Sequence, residues 1–501
     1  MTDHQKKTTL DLLRRVFSLD LRSLALFRIT AGILILVDLA FRWSTLPEMY
    51  TGEGFFTHQV ANDYYTFELG ESWRSLSWSL YWLSDSVIFV QTLFATAAIA
   101  ALFLIVGKWT RLATIISWVL LVSLHARNPL ITTSGDNLFR MMLFWSMFLP
   151  LGARWSFDST SKTADHDAVF SFATIGFIFQ LFAIYFFPGV AKFNDIWISG
   201  DAMSYVLRLD IYITDFGHSM LNYPLLLKLV SWVTLFAELI WVWTLFVPWK
   251  NGTFRLINML VFCSLHIGVV LSMAIGLFSG ICIVCWLALL PTFVWQRRTE
   301  PRVLNNLNFK LISTPWIAVE CFCAVILISI VAWNVSNIEN TVTRKLKTPM
   351  LVQLVRQAGV SQQFHMFGDP PKVNPWFVYE AKLVDGTSVD IFRDEAVETK
   401  RPENGLDKQP QFHWRRLHRG AVHSRREIIR QPMLDYIVKR WNKTHDDRKQ
   451  VVSAKLTYFK EPIGPDFNEL NFKSQVWGTY KDAAQAPGSL FDSMLDSDSP
   501  F

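Results

Sequence analysis

Nine largely uncharged, apolar stretches alternate with polar stretches over the first two thirds of the chain. They cover residues 23–42, 84–106, 111–127, 135–151, 168–187, 225–248, 254–272, 274–295 and 314–334. Most approach the roughly 20 residues that a helix needs to cross a bilayer, and the third and fourth are the shortest. The pattern predicts a polytopic α-helical membrane protein with about nine transmembrane helices.

The polar and apolar composition changes at three points and predicts four regions. They are a basic, cytoplasmic lead-in at 1–22, a transmembrane domain at 23–335, an extra-membrane α+β domain at 336–480 and a disordered tail at 481–501. The tail is rich in small and acidic residues, which bury too little apolar surface to offset the entropy of ordering.

The α+β prediction for the C-terminal domain depends on local patterns. Residues 377–384 and 387–392 alternate in polarity around Asp385-Gly386, a strong signal for a β-hairpin turn. A further strand is predicted at 451–459 and a helix at 433–441, where apolar residues recur at helical spacing. The alternation would bury one face of the hairpin. We expect this domain to pack over the outer mouth of the helices, near the loop at 188–224.

Composition and charge agree with a membrane location. The chain has 501 residues, of which 51% are hydrophobic, and its 21 tryptophans suit interfacial belts. Lysine and arginine are denser in the loops on the side of the N-terminus, so the positive-inside rule places the N-terminus in the cytoplasm. With nine spans, Lys192 and the C-terminal domain would lie outside. The net charge of +6 is modest and reflects orientation in the membrane, not nucleic-acid binding. Membrane lipid is the expected partner.

Ionisable residues within apolar stretches are costly, so each is a candidate for function or for tight pairing. The candidates considered among them are Arg28, Asp38, Asp136, Arg140, Glu238 and His266. Asp136 and Arg140 are four residues apart and can pair along one helical face. The alternative to a functional role is a set of buried ion pairs that fixes helix order. The five cysteines all lie in apolar stretches and have no metal-ligand spacing, so no metal site is predicted.

Lys192 follows a long apolar run that ends at Pro188-Gly189, and its neighbours are apolar and aromatic. An amine held away from water is more easily neutral, and a neutral amine can act as a base. This role requires that no carboxylate hold its charge. We therefore expect Lys192 to point into the membrane domain near His266, with Asp195 and Asp201 turned away. The alternative is a lysine that ends a helix by extending to the interface. The basic run from Arg415 to Arg426 is more typical of a solvated or headgroup-facing surface than of a substrate site.

The stretch PGVAKFNDIWISGDAM resembles the vitamin K-dependent gamma-glutamyl carboxylase family, and Lys192 falls on the lysine that is the catalytic base there. LALFRITAGILILVDL, TGEGFF, ARNPLITTSGDNLFRMMLFWSMFLPLG and SLHIGVVLSMAIGLFSGI are similar to the bacterial horizontally transferred transmembrane (HTTM) family, which shares its membrane domain with the carboxylase. His266 matches a histidine of the carboxylase's seventh-helix motif. The resemblance implies a bacterial inner-membrane protein with Lys192 and His266 as catalytic residues, and with Asn137, Asp136, Arg140, Arg28 and Glu238 as possible supporting residues.

Two positions depart from the carboxylase pattern. Ala191 stands where the family has the first lysine of a pair, and Asn137 stands roughly where it has a histidine. The resemblance also implies a reduced quinone of the vitamin K type, O2 and CO2 as reactants, and a peptide glutamate on the outer face as a substrate. Three functions stay open: a quinone-epoxidising carboxylase, a quinone oxidoreductase without carboxylation, and a non-enzymatic partner-binding or maturation protein.

Overall fold

The computed structural model describes residues 3–159, 166–296, 303–305, 314–338, 340–362, 364, 366–402, 411–463 and 472–482. Most of the predicted tail at 481–501 therefore lies outside the described residues. A basic helix, Asp3–Phe17, precedes the membrane domain. Six described helices are long and apolar enough to cross a membrane: Leu21–Trp43, Val87–Val106, Phe172–Ala191, Pro224–Phe246, Asn251–Ser272 and Trp316–Ser336. The protein is therefore embedded in a membrane.

The other three predicted spans correspond to helices that are shorter or less apolar. These helices are Thr110–Arg127, Ser134–Ser146 and Phe278–Leu287. Ser134–Ser146 and Phe278–Leu287 are buried along much of their length in the same core as the long helices. By length and composition, the structure thus supports six of the nine predicted spans. Ser134–Ser146 and Phe278–Leu287 complete the interior of the helical domain, whereas Thr110–Arg127 has an exposed face at its N-terminal end.

Short helices fill the connections between the long ones. In the membrane domain and its loops they are Leu46–Tyr50, His58–Leu69, Asp195–Ile198, Ala202–Val206, Asp215–Met220 and Thr292–Trp295. Strands β1 (Leu19–Asp20), β2 (Ala168–Phe170) and β3 (Val303–Asn305) form a small sheet in which β1 pairs antiparallel and β3 parallel to β2. This sheet joins the lead-in to two distant loops.

The C-terminal domain is α+β. Its strands are β4 (Val373–Leu383), β5 (Ser388–Asp390), β6 (Glu395–Ala396), β7 (Val451–Pro462) and β8 (Lys473–Lys481), in the order β6-β5-β4-β7-β8 with every neighbouring pair antiparallel. Its helices are Thr341–Arg344, Pro349–Gln357, Phe412–Ala421 and Arg430–Thr444. The last of these and β7 confirm the predicted helix and strand.

The predicted hairpin about Asp385-Gly386 is confirmed. Lys382 pairs with Ser388, and Gly386 has a φ of +84°, which favours glycine. Asp385 accepts hydrogen bonds from the backbone and hydroxyl of Thr387, which closes the turn. Alternate β4 residues face a core shared with the helix Arg430–Thr444 and with residues 46–83, which connect the first two long helices. The C-terminal domain, called the outer domain below after its predicted position, is therefore built partly from a loop of the membrane domain.

The outer domain also contacts the loop at 188–224, as expected. Asn374 of β4 donates to Asp210 at 2.6 Å, and Arg401 donates to both carboxylate oxygens of Asp210 at 2.6 and 2.8 Å. The hydrogen bond to Asp210 raises the pKa of Arg401 above its ordinary value. These contacts hold the sheet directly over the loop that follows Lys192.

Candidate functional site

Lys192 lies at the C-terminal end of the helix Phe172–Ala191. It is the first residue after the helix, its backbone N–H still donates to Pro188, and its side chain is buried. Gly189 makes the helix crossing close at this point, because a Cβ there would lie 3.0 Å from the backbone of Glu238 and Leu239. The glycine of the Pro188-Gly189 pair thus brings a second helix against the lysine.

The charge of Lys192 is held by Glu238. The Nζ atom donates to Oε2 of Glu238, and both side chains are buried. The expectation that no carboxylate would lie close to Lys192 is therefore wrong. An unpaired ammonium at this depth would lose its hydration without compensation, whereas a carboxylate from the neighbouring helix compensates it. Just beyond Glu238, the helix tightens into a 3-10 segment, Trp241–Phe246.

The other neighbours of Lys192 agree in part with expectation. The Trp197 ring lies 5.2 Å from Nζ and covers the amine, whereas Phe193 is 68% exposed and does not. Asp201 contacts Ser199 at 2.9 Å and Lys228 at 3.6 Å, and Asp195 is exposed. The prediction that both aspartates turn away from Lys192 is thus confirmed.

His266 belongs to a hydrogen-bonded chain inside the membrane domain. Its Nε2 lies 2.9 Å from the hydroxyl of Tyr185, two turns before Lys192 on the same helix, and Trp286 donates to that hydroxyl at 2.8 Å. Trp286 can only donate, whereas the Tyr185 hydroxyl can donate to Nε2 in one tautomer of His266 and accept from it in the other. His266 Nδ1 is buried and has no hydrogen-bond partner among the described residues. It is a buried polar atom that faces the space beside the Tyr185 helix with its hydrogen-bonding capacity unused.

Aromatic rings fill the space around this chain. Tyr185 lies 3.9 Å from Phe262 between ring centroids, Phe262 stacks on Trp286 at 5.4 Å, and Phe278 meets His266 edge-on at 5.3 Å. The rings exclude water from the histidine. Exclusion of water strengthens the electrostatic interactions of any group held there.

A segment of the outer domain around Phe367 and Gly368 covers the part of the membrane domain that holds Lys192. Trp197 donates through Nε1 to the carbonyl of Phe367 at 2.9 Å, and Asn194 donates to the carbonyl of Gly368 at 2.7 Å. Gly368 is so close to Ala191 that an added Cβ would lie 2.8 Å from the Ala191 Cβ. Ala191, which stands where the family has the first lysine of a pair, is thus the residue that this segment contacts.

Asp136, Asn137 and Arg140 form a separate cluster. Asp136 accepts from the backbone of Thr133 in a capping box and from Arg42 at 2.8 Å, so its predicted pair with Arg140 does not form. Arg140 donates instead to Asn137 at 3.2 Å and to the carbonyl of Ser361. The cap turns the Asp136 carboxylate back over the helix end, away from the following turn.

Arg42 is the centre of this cluster and was missed by the sequence analysis. It donates to both oxygens of Asp38 and to the Tyr50 hydroxyl, besides Asp136. His125 was missed as well, although it is buried with Nε2 3.6 Å from Asp136. Arg42 ends the predicted apolar stretch 23–42 and His125 lies within 111–127, so their place in these stretches is the signal that could have found them.

Arg28 lies at the opposite end of the membrane domain from Lys192. Its guanidinium donates to the carbonyls of Leu104 and Ile105, at the end of the helix Val87–Val106, and to Trp155. A cation there compensates the partial negative charge of the helix end and satisfies its free carbonyls. The structure therefore brings together Lys192 and Glu238, places His266 nearby on the Tyr185 chain, and leaves Arg28 and the Asp136 cluster apart.

The basic run contacts the membrane domain. Arg415 donates to the carbonyl of Ala274 and Arg416 to that of Thr132, both in loops of the membrane domain. Two histidines on the same helix, His413 and His418, are buried, and burial lowers the pKa of each to about 3. The helix Phe412–Ala421 is thus part of the interface between the two domains.

Within the described ranges, no group of three or more His, Cys, Asp or Glu residues is placed to hold a metal ion. Comparison with curated proteins and with solved structures gave no match. The HTTM domain matches residues 18–295, which is more than half of the chain and contains Lys192, Glu238 and His266. That domain is also found in the vitamin K-dependent gamma-carboxylase. The chain is a member of the HTTM family.

Proposed function

We propose that this protein is a membrane enzyme of the carboxylase-like type, in which Lys192 takes a proton from a reduced quinone. The observation that carries the proposal is the position of Lys192. Lys192 occupies the position of the base in the family. It is buried where the membrane domain meets the segment of the outer domain around Phe367. Its only ion-pair partner in the described part of the chain is a residue of a neighbouring membrane helix.

The residues present fit a ligand that carries ring hydroxyl groups. His266 Nδ1 is a buried nitrogen with no partner in the described chain, and it can donate to a ring hydroxyl or accept from it according to the tautomer. The Lys192–Glu238 pair offers both donors and acceptors. The surrounding rings suit an apolar, lipid-soluble molecule that enters laterally from the bilayer. When bound, a reduced quinone would supply the hydroxyl proton and the reducing equivalents that O2 consumes.

The ion pair determines how Lys192 acts as a base. As ammonium and carboxylate, the pair holds its proton on the amine, which then cannot accept another. Transfer of that proton to Glu238 leaves a neutral amine and a neutral acid, with no change in net charge. Lys192 can then accept the ligand's proton, and the pair carries a net charge of +1. Glu238 is therefore a proton store for Lys192 in this proposal.

The later steps follow from the resemblance. A strong base formed on oxidation would abstract a proton from a substrate carbon, and CO2 would add there. A peptide glutamate on the outer face is the proposed substrate, and the outer domain over the 188–224 loop would present it. Asn137 stands roughly where the family has a histidine, and its side chain cannot take up a proton as a histidine can. Quinone oxidation without carboxylation is therefore the alternative form of this function.

The experiment measures O2-dependent conversion of a reduced vitamin K-type quinone to its epoxide by protein in lipid nanodiscs, with detection by mass spectrometry. Lys192→Ala should abolish conversion, and Lys192→Arg should be nearly as damaging because guanidinium stays protonated. Lys228→Arg is the matched control, since Lys228 is a half-exposed lysine on the helix that carries Glu238 and pairs with Asp201 instead. Full activity in Lys192→Arg would mean that the residue supplies only positive charge, and the base mechanism would be abandoned.

A second candidate is a non-catalytic membrane protein in which the Lys192–Glu238 pair only joins two helices. The observation that favours it is the pairing itself, together with the close ring packing beside His266. The two candidates differ in what they require of the pair, because a structural pair can be replaced by apolar residues of similar size.

A further inference from the structure

A cavity of about 420 Å³ opens between three helices of the membrane domain. It is lined by Arg111, Ile115, Met147, Phe148, Trp316 and Val319. Its volume is within the roughly 300–1,000 Å³ of small-molecule sites in proteins. None of these residues belongs to the Lys192 site, so the cavity has no role in the proposed reaction.

The cavity lies at the membrane boundary opposite the outer domain. Arg111 is the second residue of the helix Thr110–Arg127, whose far end at Leu124 packs in the core shared with the outer domain. Eighteen helical residues span about 27 Å, nearly the hydrocarbon thickness of a bilayer. Trp316 begins the last membrane helix, which leads to the outer domain after Ser336. The cavity therefore opens toward lipid of the other leaflet.

The lining has one charged group and five apolar or aromatic side chains. The Arg111 guanidinium carbon lies 5.2 Å from the centroid of the Trp316 ring, so the two side chains mark one edge of the cavity. Arg111 is exposed and makes no ion pair within the described part of the chain. Tryptophan and arginine at a membrane boundary are typical neighbours of lipid headgroups.

We infer that this cavity binds an anionic phospholipid, with an acyl chain between Ile115, Phe148 and Val319 and the phosphate against Arg111. The apolar walls match the acyl chain, and the Arg111 cation, which has no ion-pair partner within the described ranges, matches the phosphate. A neutral amphiphile such as a quinone would fill the apolar part but would leave Arg111 without a counter-charge. A lipid bound there would anchor the N-terminal end of the last membrane helix in the bilayer.

The test is native mass spectrometry of the full chain after extensive detergent washing, with phosphatidylglycerol and phosphatidylcholine offered in equal amounts. The native chain should retain one phosphatidylglycerol. Val319→Trp fills the cavity and should lose it. Val325→Trp is the matched control, because Val325 is 54% exposed on the same helix and does not line the cavity. This control should retain the lipid.

Arg111→Gln should reduce the preference for phosphatidylglycerol about fivefold, as expected for the loss of one cation near a lipid surface. Lys108→Gln removes a cation from the same boundary that stacks on Trp109 outside the cavity, and it should leave the preference unchanged. Equal lipid retention by Val319→Trp and Val325→Trp would mean loosely bound surrounding lipid only and would overturn the inference. Retention of a neutral quinone in place of phospholipid would overturn it too. Arg111→Gln alters only an exposed side chain, so its result decides the question even if Val319→Trp does not fold.

Discussion

Lys192 and Glu238 lie on different membrane helices and form a buried ion pair, at a point where Gly189 lets the two backbones touch. Loss of one partner of such a pair typically costs 3–5 kcal/mol, because the other charge stays buried without compensation. The pair therefore couples the stability of this helix contact to any chemistry that Lys192 performs. Stability and activity must be measured together on every variant here.

Gly189→Ala tests whether the close helix crossing supports the pair. The added Cβ would lie 3.0 Å from backbone atoms of Glu238 and Leu239, which cannot move as a side chain can. We expect a loss of about 1–3 kcal/mol in stability, as for other overpacked interiors, and a loss of quinone oxidation. Gly268→Ala on the His266 helix is the control, since a Cβ there meets no atom within 4 Å. Thermal unfolding in detergent compares them, and equal melting temperatures would contradict the close crossing.

Acid should lower the stability of the outer domain because of His413 and His418. Burial lowers the pKa of each to about 3, below the ordinary 6.5, so the unfolded state binds protons more readily between these values. Their contribution is complete above pH 6.5 and declines as pH falls toward 3, by up to about 1.4 kcal/mol per pH unit for each histidine. Burial raises the pKa of Asp390, which acts in the opposite direction at the low end of this range.

Hydrogen exchange of β4 and the helix Phe412–Ala421 between pH 7 and pH 4.5, corrected for intrinsic rates, measures this effect. Protection should fall with pH in the native chain and fall less in His418→Asn. His445→Asn is the control, because that histidine lies outside the buried interface helix and packs on Trp441 instead. Protection that is constant over this range would show that the two histidines do not determine the acid response.

The orientation of the protein in the membrane can be tested with protease. The charge asymmetry of the loops predicts a cytoplasmic N-terminus and an external outer domain. Protease added to spheroplasts should cut within residues 336–480 and leave an N-terminal epitope intact. A protected outer domain would place Lys192 on the cytoplasmic side and would remove the proposal of an external substrate.

The hydropathy pattern predicted the six long helices, and turn chemistry predicted the hairpin about Gly386, because both are encoded by residues close in sequence. The Lys192–Glu238 pair was not predicted, since its partners are on different helices and only the Gly189 contact brings them together. The predicted Asp136–Arg140 pair satisfied helical spacing, but the cap at Thr133 and the cation of Arg42 compete for the same carboxylate. Local spacing allows a contact, and the packing of distant helices decides it.

The double variant Lys192→Met/Glu238→Leu tests the central claim most directly. Each single variant should lose about 3–5 kcal/mol of stability, and the double variant should recover most of it because it leaves no buried charge unpaired. If Lys192 is the base, the recovered double variant should still show no O2-dependent conversion of the reduced quinone to its epoxide. Recovery of quinone oxidation together with stability would show that the pair only joins two helices, and it would contradict the proposed function.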